Sequence, residues 1–112
     1  MRPPYIRFMK RIAFKMKIFD GVADEYKRRH DEIWPKLKDA LKAAGVSQYS
    51  IFLDESTGDL FATLYLQNEQ KFAELPNLPI MKEWWNYMKD IMETNADHSP
   101  ISTPLREVFY ME

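Results

Sequence analysis

Apolar and polar residues alternate strictly in the first patterned stretch of the chain, residues 11–18. The polar or small side chains are Ala13, Lys15 and Lys17, and the apolar ones between them are Ile12, Phe14, Met16 and Ile18. This two-residue period predicts a half-buried β-strand. Further strands are predicted over 48–53, 60–67 and 105–111, and the polar linker 54–59 has the composition of a hairpin turn.

Between the predicted strands, apolar residues recur with the spacing of a helix. Between residues 23 and 45, apolar side chains recur three and four positions apart, which predicts a helix capped by Gly45. Pro35 falls inside it. Because proline lacks the N–H that would bond Asp31 and clashes with that carbonyl, we expect the helix to kink or restart there. A short helix is predicted over 69–75, a loop over 76–79, and a second long helix over 80–92.

The order of elements is therefore β-α-β-β-α-β, which predicts a ferredoxin-like α+β fold: an antiparallel sheet with its helices on one face. The other face would carry an aromatic set drawn from Phe52, Phe61, Tyr65 and either Phe109 or Tyr110. So much apolar surface is not expected to face water on a small monomer. We therefore expect a second subunit to cover it, giving a two-fold homodimer and a dimeric α+β barrel.

Composition and charge exclude several classes of function. The 112 residues correspond to one domain and carry 16 basic and 17 acidic side chains, a balance that argues against nucleic-acid binding. The chain has no cysteine, which fits a reducing cytoplasm. Nothing in it resembles a signal peptide or a membrane span. Its two histidines have no acid at a recognisable ligand spacing, so we expect no metal site.

Tyr26 and His30 stand four residues apart in the stretch YKRRHDEIWP, so on a helix they share one face. An imidazole can give or take a proton near neutral pH without further tuning. If the helix breaks at Pro35, free carbonyls near its end would favour the protonated ring and suit a general acid. The alternative is an ordinary polar helix that carries a histidine on its solvent face.

Trp84 and Trp85 form the second candidate constellation. Adjacent helical residues point about 100° apart, so both rings can hardly enter the same core face. One ring can pack with Met81 and Met88, while the other forms the wall of a cleft, where a flat aromatic suits the apolar face of a sugar ring. The alternative is that both rings pack in the core and at its rim. Tyr49 can point its hydroxyl into the same cleft.

The stretch from Glu25 to Pro35 resembles the E-Y-x-R-R-H-x-x-I-W-P signature of the L-rhamnose mutarotase family. The likeness continues in order through residues 49–54, 84–88, 95–100 and 107–110, and covers essentially everything from Met9 to Tyr110. Residues 1–8 precede the family's usual beginning and are interpreted as an N-terminal extension of a single domain over 9–112. The second departure is His98, interpreted as a loop residue, where the family usually reads P-D-N.

The resemblance implies an isomerase that interconverts the α and β anomers of L-rhamnopyranose, working as a homodimer without metal or cofactor. Carried over by motif, His30 is the proton donor, and the sugar site is lined by Tyr26, Tyr49, Trp84 and Trp85. Two other classes stay open. One is a cofactor-independent oxygenase of similar fold, which would also use a histidine in an aromatic pocket but would consume oxygen. The other is a non-catalytic dimeric ligand-binding module.

Overall fold

The computed structural model of the chain describes residues 9–112, so the predicted extension over 1–8 lies outside the described residues. The elements in chain order confirm the ferredoxin-like α+β fold. They are β1 (Lys10–Lys17), α1 (Ala23–Asp31), α2 (Pro35–Ala43), β2 (Val46–Asp54), β3 (Asp59–Leu66), α3 (Glu69–Glu74), a 3-10 turn (Leu75–Asn77), α4 (Pro79–Met88) and β4 (Thr103–Leu105).

The four strands form one sheet in the order β2-β3-β1-β4, and every neighbouring pair is antiparallel. The predicted alternation of β1 places Met16 and the following Ile18 in the core. The matching face of β3 is almost inaccessible to solvent, and it consists of Leu60, Ala62, Leu64 and Leu66. The helices pack over this face, so the core lies between the sheet and a single helical layer.

The predicted break at Pro35 is confirmed. Helix α1 ends at Asp31 and α2 begins at Pro35, where the missing N–H costs nothing because the first turn of a helix has no partner for it. Trp34 is extended, with φ −61° and ψ 131°, as the residue before proline should be. The second prediction also holds, since Gly45 has φ +84° just after α2 and its N–H reaches the carbonyl of Lys42 at 2.9 Å.

The predicted end of the last long helix is wrong by four residues, since α4 stops at Met88. The reason lies in the next segment. The carbonyl of Ile91 accepts a hydrogen bond from the N–H of Phe19 at 3.0 Å, and Met92 forms a bridge with Ile18. Both side chains are buried in the core although their backbone is not helical. Ile91 and Met92 therefore keep the spacing of buried helical residues, while main-chain contacts with the residues just after β1 hold them in a non-helical conformation. The predicted loop 76–79 also needs correction, because a 3-10 turn enters it at one end and α4 at the other.

The predicted final strand over 105–111 is also wrong in extent. Only Thr103–Leu105 pairs with β1. Beyond it three apolar residues stay in solvent, because nothing within residues 9–112 covers Val108, Phe109 and Met111, which are 81%, 78% and 78% exposed. Tyr110 is half-buried instead, with its ring 5.7 Å from the guanidinium of Arg11.

The second face of the sheet carries the predicted aromatic surface. Phe52 of β2 and Phe61 of β3 are direct cross-strand partners, and both are exposed. Farther along the same face the guanidinium of Arg11 lies 5.9 Å from the ring of Tyr65. The face is therefore aromatic at its centre and open to solvent in the single chain.

A β-bulge interrupts β2 between positions 47 and 50, where the register with β3 shifts. Gln48 and Tyr49 together stand opposite the single residue Leu64, and Gln48 takes a left-handed φ of +48°. The extra residue allows Val46 and Tyr49 to face the helices together, although strict alternation would put residues three apart on opposite faces.

Candidate functional site

A cavity of about 720 Å³ opens between the sheet and the helical layer, within the range of small-molecule sites. Inward-facing residues of β2 and β3 line one side, and residues of α1, α2 and α4 line the other. The cavity brings together four of the five site residues predicted from the sequence, namely Tyr26, His30, Tyr49 and Trp84.

His30 stands at the centre of an aromatic cluster. Its ring stacks on that of Tyr26 with 4.3 Å between centroids, as their shared helical face predicts. It meets Trp84 of α4 nearly at right angles, with centroids 5.4 Å apart. Nδ1 of His30 lies 3.1 Å from the main-chain carbonyl oxygen of Tyr26, which fixes the plane of the imidazole. Contacts with the Tyr26 ring, the Trp84 ring and the Tyr26 carbonyl therefore fix the position of the imidazole.

The expectation that free helix-end carbonyls favour a protonated His30 is wrong. The backbone N–H groups of Glu32 and Ile33 already bond the carbonyls of Arg28 and His30, so these acceptors are not free. Desolvation in the cavity wall lowers the pKa of His30 below 6.5, against smaller opposing effects from the Tyr26 carbonyl and the charge of Asp31. The imidazole is therefore mostly neutral at pH 7.

Two tyrosines bring hydroxyl groups to the same cavity. Desolvation raises the pKa of Tyr26 well above its ordinary value, and the proximity of Tyr49 adds to the shift. Although 39% of Tyr49 is exposed, desolvation also raises its pKa to about 12. The Tyr49 ring packs edge-on against Phe14 at 6.5 Å, on the helix side of the sheet. Both hydroxyls are neutral at physiological pH and can donate hydrogen bonds to a polar ligand.

The two tryptophans occupy different environments. Trp84 is buried and belongs both to the core and to the cavity wall. Trp85 is partly buried against the core and is absent from the described residues that line the cavity. Trp34, which the sequence did not single out, meets Trp84 at right angles with centroids 5.1 Å apart. One tryptophan thus lines the cavity, and the other two support the surrounding packing.

Glu25 and Arg29 share one helical face, which predicts a weak, exposed ion pair; the pair forms at 2.7 Å, but the predicted exposure is wrong for Arg29. Its side chain is buried and bonds Asp90, which lies 61 positions away in the chain, so no local pattern could have revealed the pair. His98, in contrast, is a half-buried turn residue with φ +70°, outside the described lining of the cavity.

Residues 9–112 lack two further kinds of feature. This part of the chain holds no group of three or more histidine, aspartate or glutamate side chains placed to bind a metal ion. None of its helices has the length and apolar character needed to cross a membrane.

Comparison with known proteins gives a consistent result. The family model for L-rhamnose mutarotase matches residues 11–111. The L-rhamnose mutarotase of Formosa agariphila is 53% identical over 104 residues, covering 93% of this chain and 100% of that protein. The L-rhamnose mutarotase of Sinorhizobium fredii is 50% identical over 103 residues, covering 92% and 99%.

Solved structures agree with these matches. The crystal structure of the L-rhamnose mutarotase from Formosa agariphila superposes with a TM-score of 0.86 at 52% identity, covering 92% of this chain and 99% of that one. A putative antibiotic biosynthesis monooxygenase from Chloroflexus aurantiacus superposes with a TM-score of 0.56 at 12% identity, covering 93% and 97%. At that identity the second likeness concerns the fold alone.

Proposed function

This chain belongs to the L-rhamnose mutarotase family and is an isomerase, and we propose that it interconverts the α and β anomers of L-rhamnopyranose in the cavity around His30. The observation that carries the proposal is the arrangement of a neutral imidazole between Tyr26 and Trp84 in a cavity of suitable size. Such a site offers an aromatic wall for the apolar face of a sugar and a proton-exchanging group beside it.

The proposed reaction begins with His30 neutral. Nε2 takes the proton of the anomeric hydroxyl, the bond between C1 and the ring oxygen breaks, and a C1 carbonyl forms. The electron pair of the broken bond stays on the ring oxygen, which takes a proton from a cavity hydroxyl: that of Tyr26, Tyr49 or a bound water. After rotation about the C1–C2 bond, the reverse steps close the ring on the other face of the carbonyl.

His30 changes role between the two halves of this cycle. It is a base during ring opening, and as an imidazolium it donates the proton back to the new anomeric oxygen during closure. The role of proton donor that the sequence resemblance implies is thus assigned to the closing half. Because their raised pKa values keep both tyrosines protonated at neutral pH before the ring opens, their hydroxyls donate hydrogen bonds to the bound sugar and orient it.

We further propose that Trp84 provides the surface on which the sugar lies. Its ring lines the cavity and meets His30 edge to face, so a sugar lying beside both rings has its ring oxygen and anomeric hydroxyl within reach of the imidazole. Trp85 supports the helix from the core side. The 6-methyl group of L-rhamnose adds an apolar feature for the aliphatic lining, to which Ile51, Leu53 and Leu60 contribute.

We propose that the working form is a homodimer that buries the second face of the sheet. Phe52 is 66% exposed and Phe61 37%, and these rings are neighbours on adjacent strands. Apolar patches of this kind on small proteins mark interaction sites. The exposed apolar residues after β4 add to the surface that a second copy would cover. A cytoplasmic location, expected from the absence of cysteine, belongs to the same proposal.

Saturation-transfer NMR on equilibrated L-rhamnose tests the activity. We expect added protein to speed exchange between the anomer signals, and His30→Ala to lower that exchange about a hundredfold while the fold survives. His98→Ala is the matched control, because the chain has only these two histidines and His98 lies outside the described lining of the cavity.

The alternatives predict other results. Parent-level exchange in folded His30→Ala would remove His30 from the mechanism. Oxygen uptake without anomer exchange would indicate the oxygenase. Sugar binding with neither activity would indicate a ligand-binding module.

A further inference from the structure

Arg29 is a buried cation placed between the helix that carries His30 and the helix that carries Trp84. Its side chain is only 9% exposed. Nε donates to Glu25 at 2.7 Å on its own helix. Nη1 donates to the carbonyl of Tyr87 at 2.6 Å and to Asp90 at 2.9 Å, and Nη2 donates to the other oxygen of Asp90 at 3.2 Å. The guanidinium also lies 4.4 Å from the centroid of the Tyr87 ring.

The contacts of the Arg29 guanidinium with Glu25, Tyr87 and Asp90 form a junction between the two helices. Because the guanidinium is planar, this junction fixes the orientation of its partners as well as balancing their charge. Two nitrogens hold the two carboxylate oxygens of Asp90, and a third group on the same plane holds Glu25. A guanidinium fixed at three points leaves α1 little freedom to slide or rotate against the end of α4. Lysine offers one ammonium nitrogen on a flexible stem and cannot reproduce that plane.

The geometry of the site depends on the same two helices. His30 is the next residue after Arg29, and Trp84 stands one turn before Tyr87 on α4. The 5.4 Å separation between the His30 and Trp84 rings is therefore set by the distance and rotation of α1 relative to α4. We propose that Arg29 is a positioning residue that fixes this relation, so that the imidazole is held at a constant distance from the aromatic wall of the cavity.

A role in stability alone does not account for this choice of residue. Removing a guanidinium from water is costly, and well-packed apolar side chains often replace buried ion pairs without loss of stability. A charged group with every hydrogen bond directed at a defined partner is instead suited to select one arrangement of two helices. The contacts across the helices, to the Tyr87 carbonyl and to Asp90, are the ones that an apolar side chain would lose.

The test uses a signal that does not depend on catalysis. With two histidines in the chain, the ring protons of His30 are assigned by comparing the parent with His98→Asn. The rings of Tyr26 and Trp84 displace those shifts through their ring currents. In Arg29→Lys and Arg29→Met we expect the His30 shifts to move part of the way toward those of an imidazole without an indole neighbour, because only the Trp84 contribution is disturbed.

The catalytic readout rests on the function proposed above. We expect Arg29→Lys to lower anomer exchange about tenfold or more, since misplacing a reacting group by an ångström can cost a hundredfold. Asp90→Asn weakens the same junction from the turn just after α4, at a side chain that is 62% exposed, so it tests the inference even if both Arg29 variants fail to fold. Arg28→Met is the control, because Arg28 also pairs with Glu25 but is 53% exposed.

Displaced His30 shifts and slowed exchange in Arg29→Lys or Asp90→Asn, with parent values in Arg28→Met, support the inference. Parent-like shifts and exchange in folded Arg29→Lys and Asp90→Asn overturn it, as does an equal effect of Arg28→Met. If the parent itself does not exchange anomers, the proposed function fails, while the His30 shifts still decide whether Arg29 fixes the two helices.

Discussion

The main-chain carbonyl oxygen of Tyr26 lies 3.1 Å from Nδ1 of His30, and this contact determines which nitrogen of the ring is available to exchange protons in the proposed reaction. A carbonyl can only accept a hydrogen bond, so Nδ1 must carry the hydrogen whether the ring is neutral or charged. Nε2 is therefore the nitrogen that gains and loses a proton. The helix itself supplies the group that sets the tautomer, since donor and acceptor stand one turn apart.

The pH dependence of exchange follows from the lowered pKa of His30. The ring is neutral and able to accept a proton above that pKa, so kcat/KM should be constant near pH 7 and fall on acidification, with a midpoint below 6.5. Rates corrected for spontaneous mutarotation provide the measurement. A rate that rises as the pH falls below 6.5 would show that the protonated ring is the active form.

The same pKa shift makes a contribution to stability with a defined sign. Because the folded pKa of His30 lies below the unfolded value of 6.5, the unfolded chain binds more protons between the two values. Stability should therefore decrease as the pH falls through this window. We expect His30→Gln to remove that part of the dependence, as denaturant unfolding at a series of pH values would show. An unchanged pH dependence in the variant would contradict the assignment.

Single substitutions of Trp84 and Trp85 should distinguish the tryptophan that contacts the sugar from the one that only packs against the core. We expect Trp84→Phe to weaken L-rhamnose binding by on the order of 1 kcal/mol, because phenylalanine offers less aromatic area to the sugar. Trp85→Phe is the matched control and should bind like the parent, since its ring packs toward the core. Saturable changes in tryptophan fluorescence report both affinities. Weaker binding in Trp85→Phe alone would place the sugar elsewhere.

Two glycines with nearly equal φ values differ in what surrounds them. A Cβ on Gly58 would stand 2.9 Å from the carbonyl oxygen of Ile18, whereas one on Gly21 would meet nothing within 4 Å. Both positions have φ near +80°, so each alanine carries the same backbone strain of about 1 kcal/mol. We expect Gly58→Ala to lower the free energy of unfolding by a further 1–2 kcal/mol or so. Equal losses in denaturant unfolding would mean that the Ile18 carbonyl moves aside freely.

Phe52 and Phe61 are exposed neighbours at the centre of the proposed dimer interface, so a single charged substitution there tests the dimer. The parent should show twice the chain mass of 13.4 kDa in light scattering, and Phe52→Lys should shift the mass toward that of one chain. Leu78→Lys introduces the same charge at an exposed apolar residue before α4, away from the sheet, and should leave the mass unchanged. A parent that is monomeric at micromolar concentration would contradict the proposal.

The parts of the fold that local chemistry determines could be predicted from the sequence. The alternation of β1 depends on residues two apart, and a proline inside a helical pattern removes a main-chain hydrogen bond whatever the rest of the fold, so both predictions were correct. The helix end at Met88 could not be predicted in this way. Ile91 and Met92 keep helical spacing because they are buried, and their backbone follows long-range bonds to Phe19 and Ile18.

The same distinction between local and long-range causes applies to the candidate site. Tyr26 and His30 are four residues apart on one helix, so their stacking follows from helical geometry. The lowered pKa of His30 and the partner of Arg29 depend on how α1, α4 and the sheet come together. Asp90 is 61 residues from Arg29, and a single sequence gives no periodic signal over that distance.

The bulge at Gln48 also limits how the chain can associate. In the described sheet β2 is an edge strand, and a flat edge offers unpaired N–H and C=O groups to any extended segment, which is a common start of aggregation. The positive φ of Gln48 interrupts that row of groups, so an incoming strand finds a regular ladder only beyond residue 50. Growth of the sheet by strand addition is thereby hindered, which agrees with the proposed dimer, since that dimer forms through the aromatic face and leaves the edge of β2 unpaired.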